Sequence, residues 1–198
     1  SMFNGIIKNC GKVTKLISRK KGLDIYIKSN LKFLKKNIGS SVACDGVCLT
    51  LVDYKKDVSR YYISNETLIR SKFKNVNTND IINLEKPMKY GDSISGHFVQ
   101  GHVDTVGTIQ KINVIDKSWN IEIILKKNFS KYLVEKASIT INGVSLTISK
   151  IKKNKFNISV IPHSLMLTNL IYLKKNNLVN IEIDILSKYI KKFSNEKK

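Results

Sequence analysis

The chain states nearly the same ten residues twice. Ser41-Val42-Ala43-Cys44-Asp45-Gly46-Val47-Cys48-Leu49-Thr50 returns as Ser138-Ile139-Thr140-Ile141-Asn142-Gly143-Val144-Ser145-Leu146-Thr147, an offset of 97 residues. The same offset continues downstream without a gap, pairing Thr67-Leu68 with Ser164-Leu165 and Asn83-Leu84-Glu85 with Asn180-Ile181-Glu182. Near the start, Gly5 and Gly11 pair with Gly101 and Gly107 at an offset of 96. Solenoid arrays repeat every roughly 20 to 50 residues, so a period this long means two homologous domains, each burying its own small core. A quasi-symmetric pair is suited to handling two similar things.

Each half reads as β-structure. Leu23-Asp24-Ile25-Tyr26-Ile27-Lys28 and Trp119-Asn120-Ile121-Glu122-Ile123-Ile124-Leu125 alternate apolar with polar residues, as half-buried strands do, and sit at similar places in the two halves. Asp45-Gly46 and Asn142-Gly143 read as two-residue hairpin turns of type I′, which needs positive φ at both central positions. Short helical turns are expected over Asn65 to Phe73, with Asn65 as cap, and over Pro162 to Leu173, with Pro162 in the first turn. Many short strands, tight turns and one brief helix per half fit a small Greek-key barrel.

The hairpins place chemistry on one face. In Val47-Cys48-Leu49-Thr50-Leu51 the apolar residues share a face and Cys48 and Thr50 the other; Val144-Ser145-Leu146-Thr147-Ile148 repeats this with Ser145 and Thr147. For one strand this is a plain solvent face, but its duplication points to a binding wall. A second distinctive segment, Ser95-Gly96-His97-Phe98-Val99-Gln100-Gly101-His102-Val103-Asp104, lies at the join of the halves and holds two of the three histidines. Their spacing of five suits neither one strand face nor a zinc motif, so a structural pair near the junction is the plain alternative to a functional one.

Composition limits the remaining options. The net charge of +20 invites a nucleic-acid reading, yet only three of the 35 basic residues are Arg and the lysines are scattered, whereas phosphate recognition favours Arg forks on one face. Lys, Asn and Ile supply about 40% of the chain, as an AT-rich coding sequence would impose. A solvated surface is the expectation; the densest basic segment is the tail from Lys188 to Lys198. An OB-type single-strand binder would cluster its aromatics on one sheet, and the eight Tyr and seven Phe are dispersed. No apolar run approaches the roughly 20 residues of a membrane span. Three cysteines, Cys10, Cys44 and Cys48, lack metal-ligand spacing and are expected as free thiols in a cytoplasmic protein. Ser1 before Met2 reads as an expression scar, and no signal sequence is expected.

Met2-Phe3-Asn4-Gly5-Ile6-Ile7, Gly46-Val47-Cys48-Leu49-Thr50, Gly96 to His102, Asn142 to Thr147, Ile161-Pro162 with Thr168 and Leu170, and Asn180 to Asp184 together resemble riboflavin synthase of the duplicated-barrel type, in order and spacing from Met2 to about Lys192. Two departures stand out: Asn4 where the family's opening carries Thr, and Asn142 where its second turn carries Asp. The resemblance implies an all-β fold of two tandem six-stranded Greek-key barrels, over residues 2–94 and 95–185, with a trimerisation helix and basic tail over 186–198. It implies a dismutation of two 6,7-dimethyl-8-ribityllumazine molecules to riboflavin and 5-amino-6-(ribitylamino)uracil by transfer of a four-carbon unit. No cofactor or metal is implied. The partners are the two lumazines and two further copies of the chain in a homotrimer, where the N-terminal barrel of one subunit meets the C-terminal barrel of another; association with lumazine synthase is a further expectation. A non-catalytic lumazine- or flavin-binding protein of the same fold is the rival reading.

By the same resemblance Phe3, Gly5, Ile6, Ile7, Cys48, Leu49, Thr50, Tyr62, Ile63, Ser64, Asn65, Glu66, Thr67, Gly101, His102 and Val103 line the lumazine sites. So do Lys136, Ser145, Leu146, Thr147, Val160, Ile161, Pro162, His163, Ser164 and Leu165. His102, Ser145 and Thr147 are expected to handle the acidic methyl proton at lumazine C7, because an imidazole titrates near neutrality and hydroxyls relay protons. Cys48 and Asp184 support them, the thiol as nucleophile or water-positioning group and the carboxylate as an orienting or proton-accepting partner. Leu186, Tyr189, Ile190 and Phe193 recur at helical spacing, an apolar stripe on a helix too short to persist alone. It must dock, either on its own barrel or on another subunit.

Overall fold

The computed structural model describes residues 1–195; the last three of the basic tail, 196–198, lie outside them. Six strands, β1 (Asn9–Arg19), β2 (Gly22–Ser29), β3 (Ser41–Cys44), β4 (Val47–Lys55), β5 (Val58–Ser64) and β6 (Ile81–Glu85), close a barrel in the order β1-β2-β5-β4-β3-β6. The second half repeats it. Here β7 (Thr105–Ile115), β8 (Ser118–Ile124), β9 (Ser138–Ile141), β10 (Val144–Lys152), β11 (Lys155–Val160) and β12 (Leu178–Ile183) close in the matching order β7-β8-β11-β10-β9-β12. All pairs are antiparallel. Irregularities at Val13/Lys15 and Leu51/Asp53 recur at Ile109/Lys111 and Ile148/Lys150. Such bulges bend long strands sharply enough for a six-stranded sheet to meet itself.

Each barrel fills its lumen with inward aliphatic and aromatic residues, among them Ile25, Ile27, Leu51 and Tyr61 in the first and Ile121, Ile123, Phe156 and Ile181 in the second. A third, small cluster of Phe3, Ala43 and Val99 lies between them. There Phe3 and Val99 exchange both backbone hydrogen bonds, Phe3 N–H to Val99 O at 2.7 Å and Val99 N–H to Phe3 O at 3.1 Å, so equivalent segments of the two halves pair with each other.

The hairpin turns meet across the same junction. Asp45 and Asn142 each have φ 47° and Gly46 and Gly143 each have φ 80°, the positive pair that a type I′ turn requires. The turns approach so closely that a Cβ on Gly46 would lie 2.8 Å from Gly143 N, and one on Gly143 2.8 Å from Gly46 N. Buried polar groups complete the contact: Asn83 donates to Asn142 O, Asn180 to Asp45 O and Asn169 to the Asp45 carboxylate, whose other oxygen meets Lys72 Nζ at 2.5 Å. Burial pushes the Asp45 carboxyl up and Lys72 pulls it back. Asn142 stands where the first turn has the ionisable Asp45; its Oδ1 accepts from Asn180 N–H, and its buried Nδ2 has no partner among the described residues.

The expected helices break early, and for one reason. Helix α1 is Asn65–Arg70, capped by Ser64 rather than Asn65, with Ser64 Oγ accepting from Thr67 N–H at 3.2 Å. It stops because Ser71 is extended, its hydroxyl donating to Thr67 O and accepting from Phe73 N–H; a 3₁₀ turn follows over Lys72–Asn75. Helix α2, Pro162–Leu167, ends identically at Thr168, which bonds Ser164 O and Leu170 N–H before a 3₁₀ turn over Asn169–Tyr172. Ser and Thr hydroxyls compete with helical backbone bonds in this way. Helix α3, Ile185–Asn195, leaves Leu186, Tyr189, Ile190 and Phe193 each more than half exposed, so its stripe is not docked on its own barrel. No helix among the described residues is long and apolar enough to cross a membrane.

Candidate functional site

The hairpin register builds a small polar wall on each barrel. Ala43 faces Cys48 and Ser41 faces Thr50 across β3 and β4, while Thr140 faces Ser145 and Ser138 faces Thr147 across β9 and β10. Val47, Leu49, Leu51, Val144, Leu146 and Ile148 point into the cores, leaving Cys48 and Ser145 half-buried and Thr50 and Thr147 exposed on the outer face.

Each wall is edged by a segment from the other half. Ser145 N–H donates to Gly5 O at 2.8 Å, and Cys48 N–H donates to Gly101 O at 2.9 Å. Both glycines are left-handed, at φ 75° and 76°, and a Cβ would lie 2.7 Å from Ser145 Cβ or 2.6 Å from Cys48 Cβ. Only glycine permits this approach. The chain then commits to the foreign barrel: Ile7 is buried in the second core, and Val103 packs on the first.

A glutamate holds each edge. Glu85 accepts from Asn4 N–H at 2.7 Å and Gly5 N–H at 3.0 Å through different oxygens, and Glu182 accepts from Gln100 N–H at 2.7 Å and Gly101 N–H at 2.9 Å in the same way. Burial raises both carboxyls from the usual 4.5 to about 7, more than the backbone donors offset.

His97 gives the second wall a feature the first lacks. Its Nδ1 lies 2.7 Å from Ser145 Oγ and its Nε2 3.2 Å from Thr140 Oγ1, while its backbone N–H donates to Asn4 O. Burial lowers the imidazole below its usual range, with Asp184 pulling it back, which favours the neutral ring beside the serine. The structure thus joins Ser145 to His97, while His102 is exposed beside Gly101 on the edge that meets Cys48. Among the described residues no histidine hydrogen-bonds Cys48.

The other expected residues fall at the rims of these walls. Tyr62, Ile63 and Ser64 end β5, and Asn65, Glu66 and Thr67 open α1; Tyr62 OH donates to Lys21 O, and the exposed Glu66 pairs with Arg70. Their counterparts are Val160 at the end of β11, exposed Ile161, Pro162 and His163, and half-buried Ser164, before buried Leu165. The side chains of Leu49, Ile63, Leu146, Val160 and Leu165 are turned into the cores, so only their backbone can face a ligand. Ile6 is exposed, Ile7 buried, and Phe3 fully buried at the junction. Asp184 follows β12, accepting from Leu186 N–H. Lys136 is left-handed at φ 66°, and its repeat partner is Gly39 at φ 89°. Gly39 N–H and Lys136 N–H make equivalent bonds to Leu51 O and Ile148 O, so the second barrel places a lysine where the geometry favours glycine.

The contacts of Glu85, Glu182 and His97 are not evident from the sequence. The first pair was visible only as a repeated Asn-Leu/Ile-Glu, and His97 as one of two histidines at the join.

The sequence model of the Lumazine binding domain family matches residues 4–87 and again 100–184. Over 192 residues the chain is 36% identical to riboflavin synthase of Photobacterium leiognathi, covering 96% of this chain and 88% of that one. Riboflavin synthase of Buchnera aphidicola subsp. Schizaphis graminum (strain Sg) is also 36% identical, over 96% of this chain and 92% of its own. The crystal structure of LumP complexed with riboflavin superposes with a TM-score of 0.82 at 24% identity, over 91% of this chain and 98% of that one. LumP complexed with 6,7-dimethyl-8-(1'-D-ribityl) lumazine gives 0.79 at 23%, with the same coverage.

Proposed function

This chain belongs to the riboflavin synthase family of transferases, and from that premise we propose that it dismutates two molecules of 6,7-dimethyl-8-ribityllumazine into riboflavin and 5-amino-6-(ribitylamino)uracil. One observation carries the reading: the polar wall and its glycine edge occur twice, as Cys48 and Thr50 against Gly101, and as Ser145 and Thr147 against Gly5. Two similar walls suit two identical reactants.

In this reading the first half-site is Cys48 to Thr50, Tyr62 to Thr67 and Gly101 to Val103. The second is Gly5 to Ile7, Lys136, Ser145 to Thr147 and Val160 to Leu165. Backbone groups of the wall strands read the pyrimidine edge; hydroxyls and the Glu66 region take the ribityl chain. The walls differ in one respect, as donor and acceptor must: only the second has His97 against its hydroxyls. The neutral His97 withdraws a proton through Ser145 from the C7 methyl of one lumazine, whose anion delocalises into the ring, while Cys48 and His102 face the other. Holding both rings in register turns a bimolecular encounter into an intramolecular one, a gain of up to about 7 to 11 kcal/mol of barrier.

The two half-sites that meet belong to different subunits of a homotrimer in the cytoplasm, residues 2–94 of one chain facing residues 95–185 of the next. The more than half-exposed stripe of α3 supports this, since association would bury it. Sedimentation of a chain ending before Leu186 should show monomers that bind lumazine without turnover; a fully active monomer would remove the subunit interface from the proposal.

Mixing the pure protein with the lumazine and following riboflavin fluorescence tests the function. A protein that only holds a chromophore would bind without producing riboflavin, and it would need one competent wall rather than two.

A further inference from the structure

The two edge segments are exchanged between the barrels, and each is held by a glutamate of the barrel it does not edge. Glu85 is the last residue of β6 in the first barrel, yet the peptide it grips, Asn4-Gly5, presents its next carbonyl to Ser145 on β10 of the second. Glu182 lies on β12 of the second barrel, and the Gln100-Gly101 peptide it grips presents its carbonyl to Cys48 on β4 of the first.

We infer that Glu85 and Glu182 are crossed positioning residues: each belongs to one barrel and sets the shape of the half-site on the other. The inference rests on the lumazine reading above and deepens it. Each glycine is a relay, its N–H spent on the carboxylate and its C=O on the wall strand, so its peptide planes are fixed from both sides. A carboxylate suits this role because its two oxygens accept two parallel N–H bonds at once, and bonds to an ionised acceptor are shorter and stronger than neutral ones. A glutamine offers one acceptor oxygen and would leave the second N–H unpaired in a part-buried place. Releasing the peptide frees the glycine to rotate, which withdraws the carbonyl from Ser145 or Cys48 and moves Ile6 or His102, the next side chain along the edge.

A purely structural role would weaken the protein as a whole, whereas the crossed role affects one half-site and spares the other. The full chain at pH 8 carrying Glu85→Gln or Glu182→Gln is followed by NMR, first without ligand by amide hydrogen exchange. Glu85→Gln should speed exchange of the Ser145 amide by about tenfold or more, the equivalent of one lost hydrogen bond, and leave Cys48 near wild type. Glu182→Gln should do the reverse. Titration with 6,7-dimethyl-8-ribityllumazine, reported by the Thr147 and Thr50 amides, should then show about tenfold weaker binding at Thr147 only for Glu85→Gln and at Thr50 only for Glu182→Gln. Glu→Asp, which keeps the charge but reaches only one N–H, should fall between, and it supplies the reading if a Gln variant does not fold. Same-barrel effects, equal effects at both sites, or none would overturn the inference. A wild-type protein that shifts neither Thr50 nor Thr147 would instead refute the lumazine reading, and the half-site role with it.

Discussion

Replacing Gly143 by alanine tests how the two barrels are joined. At φ 80° an alanine adopts a left-handed conformation costing about 1 kcal/mol. Its Cβ must also lie 2.8 Å from the backbone nitrogen of Gly46, which no rotamer change relieves. Separating two packed turns adds about 1–3 kcal/mol, the usual cost of overpacking. The sum, about 2–4 kcal/mol, is a large share of the roughly 5–15 kcal/mol that holds a typical domain folded. Gly39→Ala is the control: its φ of 89° carries the same strain, but nothing lies within 4 Å of the added Cβ, so it should cost about 1 kcal/mol. Urea unfolding followed by circular dichroism and by the single tryptophan, Trp119 on β8, measures both. The double variant with Gly46→Ala should cost less than the two single changes combined, because one displacement accommodates both methyls. If Gly143→Ala costs no more than Gly39→Ala, the turn-to-turn contact does not restrain the barrels.

Three further outcomes are expected. In single-turnover kinetics with saturating lumazine, His97→Gln and Ser145→Ala should each slow conversion by about 10²-fold or more, within the range for a positioned acid–base group. If these and Cys48→Ser and His102→Gln all kept near-normal rates, positioning alone would carry the reaction. Lys136→Gly should relieve a left-handed side chain, raising stability by about 1 kcal/mol in urea while weakening lumazine binding by titration. Unchanged binding would remove Lys136 from the site. Glu182, held at about 7 in the fold against an ordinary 4.5, binds its proton more tightly folded than unfolded. Its contribution to stability is therefore fully present below about 4.5 and lost as pH rises through about 7, on the order of 3 kcal/mol. Urea midpoints from pH 5 to 8 should fall more steeply for wild type than for Glu182→Gln; parallel profiles would show that the carboxyl titrates normally.

The repeat made much of this molecule legible. The Asp-Gly and Asn-Gly turns fixed the register of β3–β4 and β9–β10, and register decides which face carries Cys48, Thr50, Ser145 and Thr147. The early stops of α1 and α2 were hidden, because Ser71 and Thr168 act through their own hydroxyl bonds rather than through any break in apolar spacing. The exchange of the Gly5 and Gly101 segments was hidden too. Which barrel an edge joins depends on where Ile7 and Val103 find their cores, and alternation along one segment does not encode that. Spacing alone does not tell His97 from His102; only the fold puts His97 beside Ser145 and leaves His102 exposed. The position of Lys136 was readable in principle: the same offset of 97 aligns it with Gly39.

A crystal structure with a non-reactive lumazine analogue tests the two half-sites most directly. One analogue should lie against Thr50, Cys48 and the Gly101 edge, and a second against Thr147, Ser145 and the Gly5 edge, the two rings meeting face to face between subunits. An analogue bound on one barrel only, or more than one residue away from Thr50 and Thr147, would contradict this arrangement.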